Sequence, residues 1–203
     1  MTEQASTTYR NALVDLFEST WGASPNLEIR SGGLEATPAT ADSGTLLCTL
    51  ALPSDNMAAA SGGVGAKNGT WSGTVASAAG AGTVCRHWRL KTSGGTVVYQ
   101  GTIGQAVALT TSASTAANGN VCTFASVPGT VVTGMKVSGT GIPAGCRVVA
   151  TSGTTVTLSH TSTAGVSSGA ALTFAYDITI DNETLVQNQQ LAIATWQITA
   201  PLA

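Results

Sequence analysis

The chain has 203 residues, of which 9% are charged and 5% aromatic, with a net charge of −2, against the ~25% charged residues usual in soluble domains. That is too little charge for a disordered polyelectrolyte or a coiled coil, and no run of ~18 apolar residues is present to span a membrane. Residues 1–17 lack a basic region followed by an apolar stretch, so no signal peptide is expected, and the composition that remains is that of a Thr-, Val- and Gly-rich β protein of one or two domains.

The one helix predicted lies over residues 6–21. Tyr9, Ala12, Leu13, Leu16, Phe17 and Trp21 recur on one helical face. Ser6 or Thr7 can cap its start, and Gly22 with Pro25 ends it. Arg10, Asp15 and Glu18 fall on the opposite face. A single amphipathic helix cannot bury its own stripe, so the stripe is expected to lie on a sheet or on a neighbouring subunit. Strands are predicted next at 26–30, at 45–52 up to Pro53, and around 69–76. A further strand at 83–92 places Val84, Arg86, Trp88 and Leu90 on one face and Cys85, His87, Arg89 and Lys91 on the other. Ser93-Gly-Gly95 turns the chain into a returning strand at 96–103. At the far end, 176–180 and 190–199 alternate clearly.

Residues 105–175 differ in composition. They hold two charges, Lys136 and Arg147, and are dense in Thr, Ser, Ala, Val and Gly. Turn sequences such as Asn118-Gly-Asn120, Pro128-Gly129 and Ser152-Gly153 punctuate short strands at 121–125, 135–138, 146–151, 154–159 and 171–175. The expected architecture is therefore all-β, sandwich- or barrel-like, with one N-terminal amphipathic helix. Its frame is built from 1–104 and 176–203, and a second small β domain, 105–175, is inserted in a loop.

Charge is unevenly placed. Residues 1–55 hold seven acids and two bases, 56–176 hold six bases and no acid, and 177–203 hold three acids and no base. Such a bipolar chain suits contacts between subunits. It is too sparse for nucleic acid. The Arg86, Arg89 and Lys91 cluster reads as a solvated or interface face. Cys48, Cys85, Cys122 and Cys146 form no C-x-x-C pair, and His87 and His160 lie far apart, so no metal or cofactor site is expected. The thiols are expected free and mostly buried, with a Cys122–Cys146 pairing left open by their shared module.

One string is recognisable: Gly134-Met-Lys-Val-Ser-Gly-Thr-Gly-Ile-Pro-Ala-Gly145, then Arg147-Val-Val, then Ser152-Gly-Thr-Thr-Val-Thr-Leu158. It resembles a small β module of tailed-bacteriophage structural proteins. The frame is similar to small head-associated virion proteins. Its order runs from Tyr9-Arg-Asn-Ala-Leu-Val-Asp15 through Leu27-Glu-Ile-Arg30, Trp88-Arg-Leu90 and Gly101-Thr-Ile103 to Ile198-Thr-Ala-Pro201. The resemblance implies a capsid decoration (cement) protein, made in the host cytoplasm and carried on the virion surface. Its partners would be the major capsid protein and further copies of itself, with a trimer on local symmetry axes as one arrangement. Two other readings stay open: a tail or head–tail junction component, and a host-surface glycan-binding module.

No catalytic residue is implied. No Gly-x-Ser-x-Gly elbow stands in a strand–turn–helix context, and Asp177, Asp181 and Glu183 read as turn residues rather than a glycosidase pair. The four tryptophans read as core anchors with one at a subunit contact. The residues expected to carry an interface are Tyr9, Leu13, Leu16, Phe17 and Trp21, with Trp21 as the contact tryptophan.

Overall fold

The computed structural model describes residues 5–200. Strands dominate it, with a single α-helix, so the fold is all-β. The described chain divides into two compact units, residues 5–104 with 180–200, and 105–179.

The first unit opens with helix α1 (Thr7–Trp21). Ser6 caps it by accepting from the Tyr9 amide at 3.2 Å, and Gly22, at φ +73°, closes it with its amide on the Glu18 carbonyl. Strands β1 (Asn26–Arg30), β2 (Leu46–Ala51), β3 (Val64–Ala66), β4 (Ser72–Thr74), β5 (Thr83–Val84), β6 (His87–Lys91) and β7 (Val97–Gly104) follow. Four of them form one antiparallel sheet in the order β7-β6-β1-β2. Its register sets Leu27 opposite Leu90 and Ile29 opposite Trp88 on one face, and Glu28 opposite Arg89 and Arg30 opposite His87 on the other. After the second unit the chain returns. Strands β15 (Thr184–Leu185), β16 (Gln190–Ala192) and β17 (Gln197–Thr199) pair in turn with β5, β4 and β3, so the C-terminal segment runs antiparallel along the 64–84 stretch.

Six of the ten aromatic residues form one cluster in this unit. Trp196 sits at its centre. Ring centroids lie 5.6 Å from Trp21, 5.3 Å from Trp71, 5.8 Å from Trp88 and 6.4 Å from Tyr99. All four tryptophans are buried. The indole N–H groups of Trp71 and Trp88 reach the carbonyls of Asn68 and Thr102, as buried tryptophans require. The cluster ties the helix, the sheet and the returning C-terminal strand into one core.

The second unit contains β8 (Val107–Thr110), β9 (Val121–Thr123), β10 (Lys136–Gly139), β11 (Val148–Ser152), β12 (Thr155–Leu158), β13 (Ala171–Ala175) and β14 (Ile178–Thr179). Two three-stranded antiparallel sheets run β10-β13-β8 and β11-β12-β9. They are stitched at both margins, by the Thr111–Phe124 bridge at one and the Lys136–Arg147 bridge at the other. The Val148 amide on the Met135 carbonyl reinforces the second seam. Phe124 and Phe174 meet edge-to-face at 5.7 Å amid valines, Leu158, Leu172, Met135, Cys122 and Cys146. Tyr176, expected at the border with the frame, packs into this core, and its hydroxyl donates to the Thr130 carbonyl.

All four cysteines are free and buried. Burial pushes the Cys48 thiol up to about 11 and the Cys85 thiol up to about 12, and it raises Cys122 as well. Buried thiols of this kind serve as small packing groups.

Truncating the hub of the aromatic cluster removes contacts to four rings at once. Trp196→Ala is expected to destabilise the protein by ~3–5 kcal/mol, whereas Tyr9→Ala, at a side chain 60% exposed, should stay within about 0.5 kcal/mol. Urea unfolding followed by tryptophan fluorescence and circular dichroism measures both.

Candidate functional site

Of the two dispositions expected for its stripe, helix α1 does not lay Tyr9, Leu13 and Leu16 on a sheet of its own unit: they face outward. Val14 and Trp21 are its buried residues, and Arg10, Asn11, Phe17 and Glu18 are half-buried. The polar face points into the protein because the 56–63 segment supplies backbone donors that need acceptors. The Glu18 carboxylate accepts from the Asn56 and Met57 amides at 2.8 and 3.1 Å. Asp15 accepts from the Ala60 amide at 2.8 Å, and the Asn11 side-chain oxygen from the Gly63 amide at 2.7 Å. Gly65 makes the close approach possible, since a Cβ there would come within 2.4 Å of Val14.

The consequence is an apolar face turned outward. Tyr9 is 60% exposed, Leu16 57% and Leu13 38%. Half-buried Phe17 extends the patch towards Tyr99, 6.0 Å away between ring centroids and itself 37% exposed. Tyr9, Leu13, Leu16 and Phe17 therefore share one surface. Trp21 does not belong to it. At 1% exposure it is a core residue of the aromatic cluster, because it sits on the same side of the helix as Val14. The expectation that one tryptophan stands at a subunit contact is corrected for the same reason. Asn11, Val14, Glu18 and Trp21 share the inward face at helical spacing, but the amide donors they meet lie some forty residues further along the chain.

A second cluster occupies the polar face of the β7-β6-β1-β2 sheet. The 31–45 segment lies over it. Arg89 is fully buried and donates to Asp42 Oδ1 at 2.8 Å and to the carbonyls of Pro38 and Thr40 at 2.7 and 2.8 Å. Lys91 bridges Asp42 and Glu28 at 2.5 and 2.9 Å. Arg30 meets Glu28 at 2.7 Å and donates to the Ser43 carbonyl. Glu35 Oε1 accepts from the amide and hydroxyl of Ser43 at 2.7 and 3.0 Å. The basic cluster read as a solvated or interface face is split: Arg89 and Lys91 hold the 31–45 segment down, and Arg86 pairs with Glu183 at 3.1 Å. Hydrogen bonding from Lys91 holds the Asp42 carboxyl below its ordinary range, against the opposing effect of burial. Burial pushes the Glu35 carboxyl up, but the Ser43 bonds and the neighbouring His87 outweigh it and leave it lowered.

Other chemistry-bearing groups stay apart. His160 is exposed, with its Nδ1 2.8 Å from the adjacent Ser159 hydroxyl. Asp177 pairs with Arg147 at 3.2 Å and approaches Lys136 at 3.9 Å. A concavity of about 310 Å³ in the second unit, walled by Val127, Pro128, Val131, Val132 and Thr133, carries no titratable side chain. Another, of about 580 Å³ beside the 31–45 segment, has Asp42 and Lys91 as its ionisable residues, and these are paired with each other. Among the described residues no group of three or more His, Cys, Asp or Glu side chains could hold a metal ion, and no helix is long and apolar enough to cross a membrane. No protein-family model matches the chain, and no curated protein or solved structure is significantly similar to it.

The lowered carboxyls set the acid limb of stability. A group whose folded-state value is depressed stabilises above its ordinary range, and that contribution disappears as pH falls through the folded value. Stability should therefore be full above the ordinary carboxylate range and fall as pH drops through that range and below it. Asp42→Asn is expected to cost ~1–2 kcal/mol at neutral pH, since it leaves buried Arg89 short of a partner, and to flatten the acid limb. Urea midpoints across the pH series read both effects.

Proposed function

We propose that the chain is a structural virion protein of a tailed bacteriophage, a decoration or cement protein that binds the outside of the capsid shell and stabilises it. The observation that carries this reading is the outward face of α1. It presents Tyr9, Leu13 and Leu16 to solvent while Asp15 and Glu18 are engaged by backbone amides and Arg10 lies half-buried. A neutral apolar patch on a protein with few charged residues is suited to contact with neighbours. The resemblance of the 134–158 string and of the frame to virion proteins supplies the class.

The mechanism is adhesion. Each copy bridges neighbouring shell subunits and buries surface that the shell alone leaves exposed. Binding of the assembled state, and not of free subunits, adds stability by mass action. A patch of four or five side chains is far smaller than the ~800 Å² per partner of a stable binary interface, so its strength comes from many copies held on one lattice and from self-association there, as a trimer or another symmetric oligomer. The sandwich- or barrel-like frame and the inserted second domain serve as small, dense, weakly charged spacers in this reading. The role asks for no cofactor and no catalytic residue. A glycan-binding role is less well supported, because Phe124 and Phe174 are buried against each other.

The test is a variant that changes only the outward face. Leu13→Ser with Leu16→Ser should leave the melting temperature within about 3 °C of wild type, both side chains being exposed, and weaken binding to expanded capsid shells by at least ~10-fold. Co-sedimentation with shells measures the binding. Undiminished binding would remove α1 from the contact, and the absence of any binding by the wild-type chain would remove the function.

A further inference from the structure

We propose that Asn68 is a self-modifying site, at which the Gly69 backbone nitrogen attacks the Asn68 side chain and converts its amide to a carboxylate. Asn-Gly occurs twice in the chain, at Asn68-Gly69 and at Asn118-Gly119. Glycine leaves the amide nitrogen that follows the asparagine unshielded by a Cβ, so both pairs are open to this reaction in an unfolded chain. The fold treats them differently. Asn68 lies half-buried between β3 and β4. Its Nδ2 donates to Asp55 Oδ2 at 2.9 Å, and the Gly69 amide donates to its Oδ1 at 2.9 Å. A carboxylate only accepts and an amide N–H only donates, so these two neighbours fix which end of the carboxamide faces Gly69. The backbone is pinned as well. The Asn68 amide donates to the Asn56 carbonyl at 2.7 Å, and the Asn68 carbonyl accepts from the Trp71 indole at 3.0 Å.

The Gly69 nitrogen is thereby held against the group it attacks, the positioning that makes an intramolecular step fast. The lone pair that forms the new bond lies where the N–H bond lay, and that bond is aimed at the carboxamide. The Lys67 ammonium, on the Gly69 carbonyl at 2.7 Å, places positive charge beside the amide that loses its proton. Gly119 is arranged the other way. Its amide donates to the Ala116 carbonyl at 2.9 Å, so its N–H is aimed at a backbone oxygen and not at the Asn118 side chain. The reaction at Asn68 is a cyclisation followed by a hydrolysis. The Gly69 nitrogen bonds to Cγ, and its proton passes to Oδ1. The Cγ–Nδ2 bond then breaks, the hydroxyl proton leaves with the nitrogen as ammonia, and a five-membered imide remains. Water opens the imide at either carbonyl, giving aspartate or the isomer whose main chain runs through the former side chain. Aspartate sets a second carboxylate against Asp55 where a donor stood. The isomer adds a methylene to the main chain between the Asn56 and Trp71 anchors. Trp71 packs on Trp196 at 5.3 Å, so either product loosens the loop that leads into the aromatic cluster.

This inference does not rest on the capsid reading, and its test needs no capsid. The full chain is incubated in warm, mildly alkaline buffer, with a parallel sample unfolded in guanidinium chloride, and conversion is followed by peptide mapping with mass spectrometry. Trypsin separates the two sites onto peptides 68–86 and 92–136. In the folded protein Asn68 is expected to convert roughly tenfold or more faster than Asn118, and unfolding should bring the two rates together. Equal conversion in the folded chain, faster conversion at Asn118, or no conversion at Asn68 would each overturn the proposal. A preference for Asn68 that persists in guanidinium chloride would overturn it too, because local sequence and not geometry would then set the rate. Asn68→Asp, which carries one product from the start, should unfold at a lower urea concentration than wild type, and an unchanged midpoint would remove the loosening of the cluster.

Discussion

Four backbone amides between residues 56 and 63 take their acceptors from three side chains of α1, and the remainder of the first unit's surface follows from that arrangement. A buried amide left without an acceptor costs ~1–3 kcal/mol, and each exposed leucine forgoes ~1.5–3 kcal/mol of burial. Over four amides the first term comes to ~4–12 kcal/mol and over two leucines the second to ~3–6, so the amides take precedence. The disposition that satisfies the amides also buries Trp21 against Trp196 and Val14 against Gly65, and that settles the orientation. The outward stripe of Tyr9, Leu13 and Leu16 is what remains, and it is also the surface on which the proposed function rests.

The two units solve the problem of a low aromatic content differently. The first concentrates six rings around Trp196, joining segments distant in sequence. The second has one phenylalanine pair and relies on β-branched residues, whose stiff side chains fill a small core with little loss of rotamer freedom. The buried charges of the first unit follow from the same economy. The 31–45 segment has no regular structure and one buried side chain, Glu35, so it is held by its carbonyls and carboxylates on Arg30, His87, Arg89 and Lys91 rather than by apolar packing.

The sheet strands and the 93–95 turn were legible because alternation and Gly-Gly signals are local. Which of the two dispositions α1 takes was not legible, because it depends on whether leucines or backbone acceptors take precedence, and the donors lie some forty residues away. Arg89 misled for a related reason. A strand face carrying His87, Arg89 and Lys91 has the pattern of a solvated face, and only the irregular 31–45 segment, which leaves no periodic signature, turns it into an interior. Trp21 was assigned to the apolar stripe because it follows Phe17 by four residues, yet it completes the Val14 face instead. The stripe residues Tyr9, Leu13 and Leu16 could be picked out as a set, since helical spacing alone groups them.

In the proposed function, the outward stripe acts where copies of the chain stand side by side on a shell. The most direct measurement is the copy number of this chain in purified virions, by quantitative mass spectrometry against the major shell protein. Adhesion across the shell predicts hundreds of copies in a fixed ratio to that protein. A dozen copies or fewer, or none in the particle, would contradict it.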